Sequence, residues 1–230
     1  MPGSLQSAGS SGLAEGLGLV FDMDGVLIHS NPVHVRAWEI FNRRYGLETT
    51  PSMLHNMYGR RNDELIREFF PGLSAEEVGA RGAAKEELYR EMVAGRIEEL
   101  LVPGIRPFLE SHRLHPMAVA SNAEPANVNF VLDDGGLRHY FRVVVDGHQV
   151  SHPKPHPEIY VKTAEMLGIP TQDCLVFEDS LFGVKAARAA GARVVGVLTT
   201  HDDLPGAHLK IDNFSNGNLW EWLLVQKPAA

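Results

Sequence analysis

The sequence predicts an α/β protein: a doubly wound parallel, Rossmann-like sheet with an all-helical domain inserted after its first strand. Three observations lead there. A short apolar run from Leu17 to Phe21 breaks at once into Asp22, Asp24 and Gly25. From Pro103 onward, short apolar runs alternate with helical patterns, whereas residues 31–102 show helical periodicity and no strand signal. Runs that are apolar on both faces, such as Val194-Val195-Gly196-Val197, are expected of parallel strands covered by helices on each side.

The first strand, predicted over Leu17–Phe21, ends where the acids begin. In an open α/β sheet ligands bind at the carboxyl ends of the strands, because the loops there meet helix N-termini with unpaired N–H groups. Asp22 and Asp24, two residues apart on a loop, can face one cavity. One can then attack as a nucleophile while the other moves a proton, a division that a shared site supports by pushing two carboxylate pKa values apart. An ordinary Asp-x-Asp-Gly turn is the competing reading. A calcium loop is excluded, since Val26-Leu27-Ile28 supplies no further oxygen ligands at the required spacing.

Beyond Asn31-Pro32 the texture turns helical. Val33, Ala37, Ile40, Phe41 and Tyr45 recur at helical spacing and Gly46 provides a stop. Further helices are predicted over Asp63–Phe70, Ser74–Ala84 and Lys85–Ala94, with Ser74 and Glu77 spaced as a capping box. Pro103-Gly104 marks the return to the sheet. Strands follow at Met117–Ala120, Val143–Val145, Cys174–Phe177 and Arg193–Leu198, and helices at Ala126–Asp134, Glu158–Leu167 and Phe182–Ala190, with Gly191 at a helix end. Trp220 and Trp222 are expected to pack a terminal element. The domain division is thus a tail over 1–16, a core over 17–30 and 103–230, and a helical cap over 31–102.

Composition limits the function classes. The 230 residues suffice for a substantial core, and 44% hydrophobic with 22% charged residues is ordinary for a soluble globular protein. A net charge of -8 speaks against a general nucleic-acid or anionic-membrane surface, although a local cation cluster or metal can still hold a small anion. No stretch is long and apolar enough to span a membrane, and residues 1–16 lack a signal-peptide core. The one cysteine, Cys174, begins an apolar strand and reads as a small hydrophobe in a reducing compartment. A cytoplasmic protein is expected.

Three returning strands end in polar groups suited to phosphate chemistry. Ser121-Asn122 follows Ala120, with Pro125 near the first turn of the next helix, and serves either as a phosphate cradle or as a simple cap. Lys154 lies in His152-Pro153-Lys154-Pro155-His156-Pro157, where prolines stiffen the loop; it either binds phosphate and steadies a carboxylate or is a solvated lysine. Glu178-Asp179-Ser180 follows Phe177, and adjacent acids there suit a hard cation such as magnesium. Capping by Asp179 or Ser180 leaves Glu178 unexplained.

The order Asp-x-Asp-Gly, Ser-Asn, Lys-Pro, Glu-Asp, each at a strand end, resembles the four signature motifs of the haloacid dehalogenase-like superfamily. Phe21-Asp22-Met23-Asp24-Gly25-Val26, Ala120-Ser121-Asn122, Lys154-Pro155 and Phe177-Glu178-Asp179-Ser180 carry the likeness, which runs from about Leu17 to the C-terminus. The insertion is similar to the family's helical cap, and Phe21 to Trp38 is particularly similar to the β-phosphoglucomutase and phosphatase branch. The resemblance implies that Asp22 becomes an aspartyl phosphate and that Asp24 is the general acid and base. Ser121 and Lys154 would hold the phosphoryl group. Mg2+ would be bound by Asp22, by the Asp24 carbonyl, by Asp179 directly and by Glu178 as an outer or alternate ligand. Superfamily dehalogenases lack the second aspartate, so Asp24 points to phosphoryl transfer.

Cap residues expected to meet the substrate are His34, which matches a mutase hinge histidine, and Arg60, Arg61, Asn62 and Lys85, with Asn122 from the core. Asn62 falls where the mutase has an arginine for the substrate's second phosphate, a role Arg60 or Arg61 could take. The leading expectation is a magnesium-dependent phosphatase, acting as a monomer on a small phosphorylated metabolite such as a sugar phosphate or phosphoglycolate. The alternatives are a β-phosphoglucomutase and, from a different class, a non-catalytic phosphometabolite sensor.

Overall fold

The computed structural model describes residues 13–229. Six parallel strands form one sheet: β1 (Gly18–Phe21), β2 (Met117–Ala120), β3 (Val143–Val145), β4 (Cys174–Glu178), β5 (Arg193–Val197) and β6 (Leu209–Ile211), in the order β3-β2-β1-β4-β5-β6. The doubly wound, Rossmann-like core is therefore present. The order reverses between β1 and β4, where the loops part and leave a crevice at the carboxyl edge.

The central strand owes its place to residues apolar on both faces. Leu19 and Phe21 point into one layer and Val20 into the other, as the two-residue period requires. In the first layer Phe21 stacks on Phe177 with ring centres 4.7 Å apart, and Phe108 and Phe214 complete an aromatic cluster. In the second, α8 (Glu158–Leu167) and α9 (Leu181–Ala189) cover Val20, Ala118, Val176 and Val194. The helix α7 (Pro125–Asp134) follows β2 with Pro125 in its first turn. The C-terminal helix α10 (Gly217–Leu224) carries Trp220, which packs near Phe108 on α6 (Ile105–Ser111) and near His112 just beyond its end.

Between β1 and α6 the chain makes five helices: α1 (Asn31–Arg44), α2 (Pro51–His55), α3 (Asn62–Phe69), α4 (Ala75–Val93) and α5 (Ile97–Leu100). Trp38 and Phe41 of α1 are buried, with Phe69 at 5.3 Å from Trp38. The two helices predicted over Ser74–Ala84 and Lys85–Ala94 are one helix, α4. Its glycines, Gly79 and Gly82, cost about 1 kcal/mol each relative to alanine, and the helix runs through them while packing on α1 and α3. The capping box is present: Ser74 Oγ accepts from Glu77 N at 3.2 Å, and Ser74 N donates to the Glu77 carboxylate at 2.8 Å. Of the tail expected over 1–16, residues 1–12 lie outside the described residues; Leu13 is buried against the core. Among the described residues, no helix is long and apolar enough to cross a membrane.

Candidate active site

At the end of β1, Asp22 N donates to Phe177 O at 3.0 Å, after which the chain leaves the sheet. The turn needs glycine at position 25: its φ is +78°, and a Cβ there would stand 1.9 Å from a carboxylate oxygen of Asp179. The first and fourth strand-end loops are thereby pressed together.

Lys154 joins them from β3's side. Its buried ammonium donates to Asp22 Oδ1 at 2.9 Å, Glu178 Oε1 at 2.6 Å and Ala120 O at 3.1 Å, which uses all three of its protons. Burial pulls its pKa down, but the carboxylates of Asp22 and Glu178 outweigh that and hold it above the ordinary lysine range. For Asp22, burial dominates over Lys154's attraction; with repulsion from Glu178 and Asp24 it pushes the carboxyl up to about 7. Asp179 is likewise raised well above the usual range by burial, Glu178 and Asp22. Its Oδ2 accepts from Asn31 Nδ2 at 2.8 Å and from the Thr200 hydroxyl.

Glu178 is turned into the protein, 0% exposed. Oε1 accepts from Lys154 and, at 2.6 Å, from the Tyr160 hydroxyl; Oε2 accepts from Asp179 N at 3.0 Å, Ser180 N at 3.1 Å and Ser180 Oγ at 3.0 Å. A Cβ on Gly183 in the first turn of α9 would lie 1.8 Å from this carboxylate, so the absent side chain makes its room. Every lone-pair direction faces a donor, and Glu178 supports the loop from behind. Ser180 also caps α9, accepting from Gly183 N at 3.0 Å.

Neither Ser121 nor Asn122 caps α7, whose N-cap is Glu124 with no side-chain cap bond, so the simple-cap reading fails. Ser121 Oγ, buried, accepts from Ala123 N at 3.1 Å. Asn122 donates to Gly59 O at 2.8 Å, and its Oδ1 accepts from Lys154 N at 3.4 Å, so it ties the helical region to the lysine loop. On the opposite wall, Asp24 Oδ1 accepts from Ser30 Oγ at 2.5 Å and from His34 Nε2 at 3.3 Å. The tautomer follows from the next partner: Lys85 Nζ, a donor only, meets His34 Nδ1 at 2.8 Å, so Nδ1 accepts and Nε2 carries the proton. His34 stacks flat on Tyr89, ring centres 3.9 Å apart.

Lys85 also donates to Glu86 at 2.9 Å. Burial raises the Glu86 carboxyl, yet Lys85, His34 and the Asn127 amide overcome it and bring it down to about 2. Asn62 donates to Glu86 Oε1 and Asn127 to Oε2 at 2.5 Å. Arg60 is engaged by Glu68 at 2.8 Å and Glu64 at 3.8 Å, and Arg61 by the carbonyls of Gly147 and Val150.

One cavity of about 500 Å³ gathers these groups, and every sequence-predicted site residue except Glu178 lines it. Sequence reasoning missed Asn31, Tyr160, Thr200 and Glu86. Thr200 follows β5 almost directly, so the strand-end rule that found the other loops applies to it as well.

Asp22, Glu178 and Asp179 each offer an oxygen within 4.8 Å of the others, among the described residues. Of these three buried carboxylates Lys154 pairs with Asp22 and Glu178 only, and Asp22 and Asp179 have raised pKa values, the signature of a cluster short of positive charge. An all-oxygen donor set of this kind fits a hard divalent cation such as magnesium.

A model of the haloacid dehalogenase-like hydrolase family matches residues 18–191, a span that contains all four strand-end loops. The chain belongs to this family. The haloacid dehalogenase-like hydrolase is 34% identical over 183 residues to a fructose-1-phosphate phosphatase of Escherichia coli (strain K12), covering 78% of this chain and 95% of that one. It is 31% identical to a phosphorylated carbohydrates phosphatase of Thermotoga maritima, covering 80% and 87%. In fold it is similar to the crystal structure of a β-phosphoglucomutase from Clostridium difficile, with a TM-score of 0.81 at 22% identity over 90% of this chain and 96% of the other. It is a phosphohydrolase of this family.

Proposed function

We propose that this haloacid dehalogenase-like enzyme hydrolyses the phosphate monoester of a small sugar or sugar alcohol through a phosphoryl-Asp22 intermediate. The observation that carries the reading is the pairing of Asp22 with Lys154 at 2.9 Å, in a cavity where Asp24 stands ready on the opposite wall. An oxygen of Asp22 forms a bond to phosphorus as the ester P–O bond breaks, and the departing alkoxide takes the proton of the Asp24 carboxyl. The Asp24 carboxylate then accepts a proton from water, whose oxygen bonds to phosphorus as the Asp22–phosphorus bond breaks. Ser30 and His34 hold Asp24 Oδ1, which leaves Oδ2 to handle the proton. The Ser121 hydroxyl is the donor we assign to the phosphoryl oxygens, and Lys154 offsets their charge from its ion pair with Asp22. Magnesium, when bound by Asp22, Asp179 and the Asp24 carbonyl, supplies charge neutralisation at the carboxylates and the phosphate oxygens.

The helical cap over 31–102 sets the substrate. Its cations at the cavity are already engaged: Arg60 by two glutamates, Arg61 by carbonyls, Lys85 by Glu86 and His34. Asn62 Oδ1, on an amide whose nitrogen alone is engaged, and the second lone pair of Glu86 Oε2 instead offer acceptors for hydroxyl groups. This favours a monophosphate with a polyol body over a bisphosphate, and hence hydrolysis over a mutase cycle.

The test is phosphate release from a panel of phosphate monoesters with magnesium and with chelator, alongside an assay converting β-glucose 1-phosphate to glucose 6-phosphate. Magnesium-dependent release from hexose or hexitol monophosphates, abolished by Asp22→Asn in a folded protein, is expected. Glucose 6-phosphate formation with little free phosphate would overturn hydrolysis, and full activity in Asp22→Asn would overturn the nucleophile.

A further inference from the structure

On the solvent side of the Lys154 loop, away from the cavity, a second set of ligand-type side chains converges. His152 and His156 flank Lys154 in Ser151-His152-Pro153-Lys154-Pro155-His156-Pro157-Glu158. The loop turns Lys154 inward, 1% exposed, while the side chains of His152 and His156 are 67% and 51% exposed and that of Glu158 is 28% exposed. His152 Nδ1 lies 2.8 Å from Glu158 Oε2, and His156 Nδ1 lies 4.0 Å from the same oxygen. The two imidazole centres are 4.6 Å apart, and one ligand atom from each of the three residues lies within 4.8 Å of the other two. Ligands at about 2.0–2.2 Å from a zinc-sized ion stand roughly 3–3.5 Å from one another. Closing the set therefore asks for a side-chain shift on the order of 1 Å.

The site is largely preorganised. Glu158 opens α8, and its carboxylate accepts Ser151 N at 2.7 Å and His152 N at 2.9 Å. Prolines at 153, 155 and 157 restrict the backbone between the ligands, so little loop entropy remains to be lost on binding. A loop latch accounts for the His152–Glu158 contact. It does not require a second exposed imidazole on the same face, that of His156, whose Nδ1 accepts from Glu158 N at 3.2 Å.

We propose that His152, His156 and Glu158 bind one divalent transition-metal ion of the zinc or nickel kind, at a site separate from the oxygen-lined carboxylate cluster. Two imidazoles and one carboxylate select borderline ions over magnesium. Binding displaces the proton shared between His152 and Glu158 and clamps the Lys154 loop to the start of α8. The folded state is stabilised by the free energy of binding, because the unfolded chain does not hold the three groups together.

The experiment uses tag-free protein in excess magnesium, titrated with zinc chloride by calorimetry and followed by thermal unfolding. One equivalent of zinc should bind and raise Tm. His152→Ala and His156→Ala should each weaken binding at least ~10-fold, with magnesium-dependent phosphatase activity in zinc-free buffer unchanged. Asp179→Asn should keep the zinc site. Absence of saturable zinc binding, binding that persists in both histidine variants, or binding lost in Asp179→Asn instead would each overturn the proposal.

Discussion

The adjacent carboxylates Glu178 and Asp179 should respond to neutralisation with opposite signs. In Glu178→Gln the new amide group faces donors whichever way it turns: Lys154 and Tyr160 on one side, the amides of Asp179 and Ser180 with the Ser180 hydroxyl on the other. The cheaper orientation lets the Tyr160 hydroxyl accept and deprives Lys154 of one buried ion pair at 2.6 Å. Breaking such a pair costs about 3–5 kcal/mol, and relief of repulsion toward Asp22 and Asp179 returns part of it, leaving a loss of roughly 2–4 kcal/mol. For a chain of this length that corresponds to a fall in Tm of roughly 5–15 °C. Asp179 instead has only the neutral donors Asn31 and Thr200, and its carboxyl is raised by burial and its acidic neighbours. Asp179→Asn keeps an acceptor for both donors while removing the strained charge, so metal-free protein should gain stability. The assay is thermal unfolding in chelator and across a magnesium titration. Glu178→Gln should melt early yet retain a magnesium-dependent rise, whereas Asp179→Asn should melt at or above wild type and ignore magnesium. A Glu178→Gln protein as stable as wild type in chelator but deaf to magnesium would refute the supporting role and make Glu178 a ligand.

Gly183→Ala places a methyl group 1.8 Å from the Glu178 carboxylate and should destabilise by at least ~3 kcal/mol, measured by urea unfolding; a loss under ~1 kcal/mol would show that Glu178 is not fixed. Asp22 titrates near 7 folded against 3.8 ordinarily, so its contribution is full below pH 3.8 and is lost as pH rises through 7, up to about 4 kcal/mol. Four histidines with lowered pKa values, His112, His115, His201 and His208, act in the opposite sense, so the readout is wild type against Asp22→Asn in chelator, where the variant should gain relative stability from pH 5 to 8. Asn62→Arg adds a cation beside Glu86 and should raise the kcat/KM ratio for a hexose bisphosphate over the monophosphate by ~10-fold, about 1.4 kcal/mol; an unchanged ratio would remove Asn62 from substrate selection.

The strand-end chemistry was legible because polar residues interrupt apolar runs abruptly: Asp22 after Phe21, Ser121 after Ala120, Glu178 after Phe177. The supporting residues were hidden because each also satisfies a blander pattern. Tyr160 occupies a core position of α8, and only the fold reveals that its hydroxyl reaches Glu178. Glu86 stands in Lys85-Glu86-Glu87, a charge run that reads as a solvated face; it is buried because α7 contributes Asn127 against it. The orientation of Glu178 was equally beyond reach, since a carboxylate facing a metal and one facing Tyr160 and Lys154 leave the same letters. Gly183 held the clue: a glycine in the first turn of α9 is explained only by something large behind it. The undivided α4 shows the converse: the sequence pattern was divided between Ala84 and Lys85, whereas the helix runs unbroken from Ala75 to Val93 against α1 and α3.

The polar chain from the core acid into the helical region has a physical consequence for specificity. Asp24, His34, Lys85, Glu86, Asn127, Arg90 and Glu124 are linked one to the next, the chain crossing three more times between the inserted helices and the sheet domain after it leaves Asp24. Two buried charges, Lys85 and Glu86, would each carry a desolvation cost of several kcal/mol without partners. Each finds one partner in the other, and the second comes from a different element: His34 on α1 for Lys85, Asn127 on α7 for Glu86. The charges thus add little net stability by themselves, and each is satisfied only while α4 lies against α1 and α7. That arrangement is the one in which His34 presents its Nε2 proton to Asp24, so the geometry of the acid on the sheet depends on a helix more than fifty residues further along the chain.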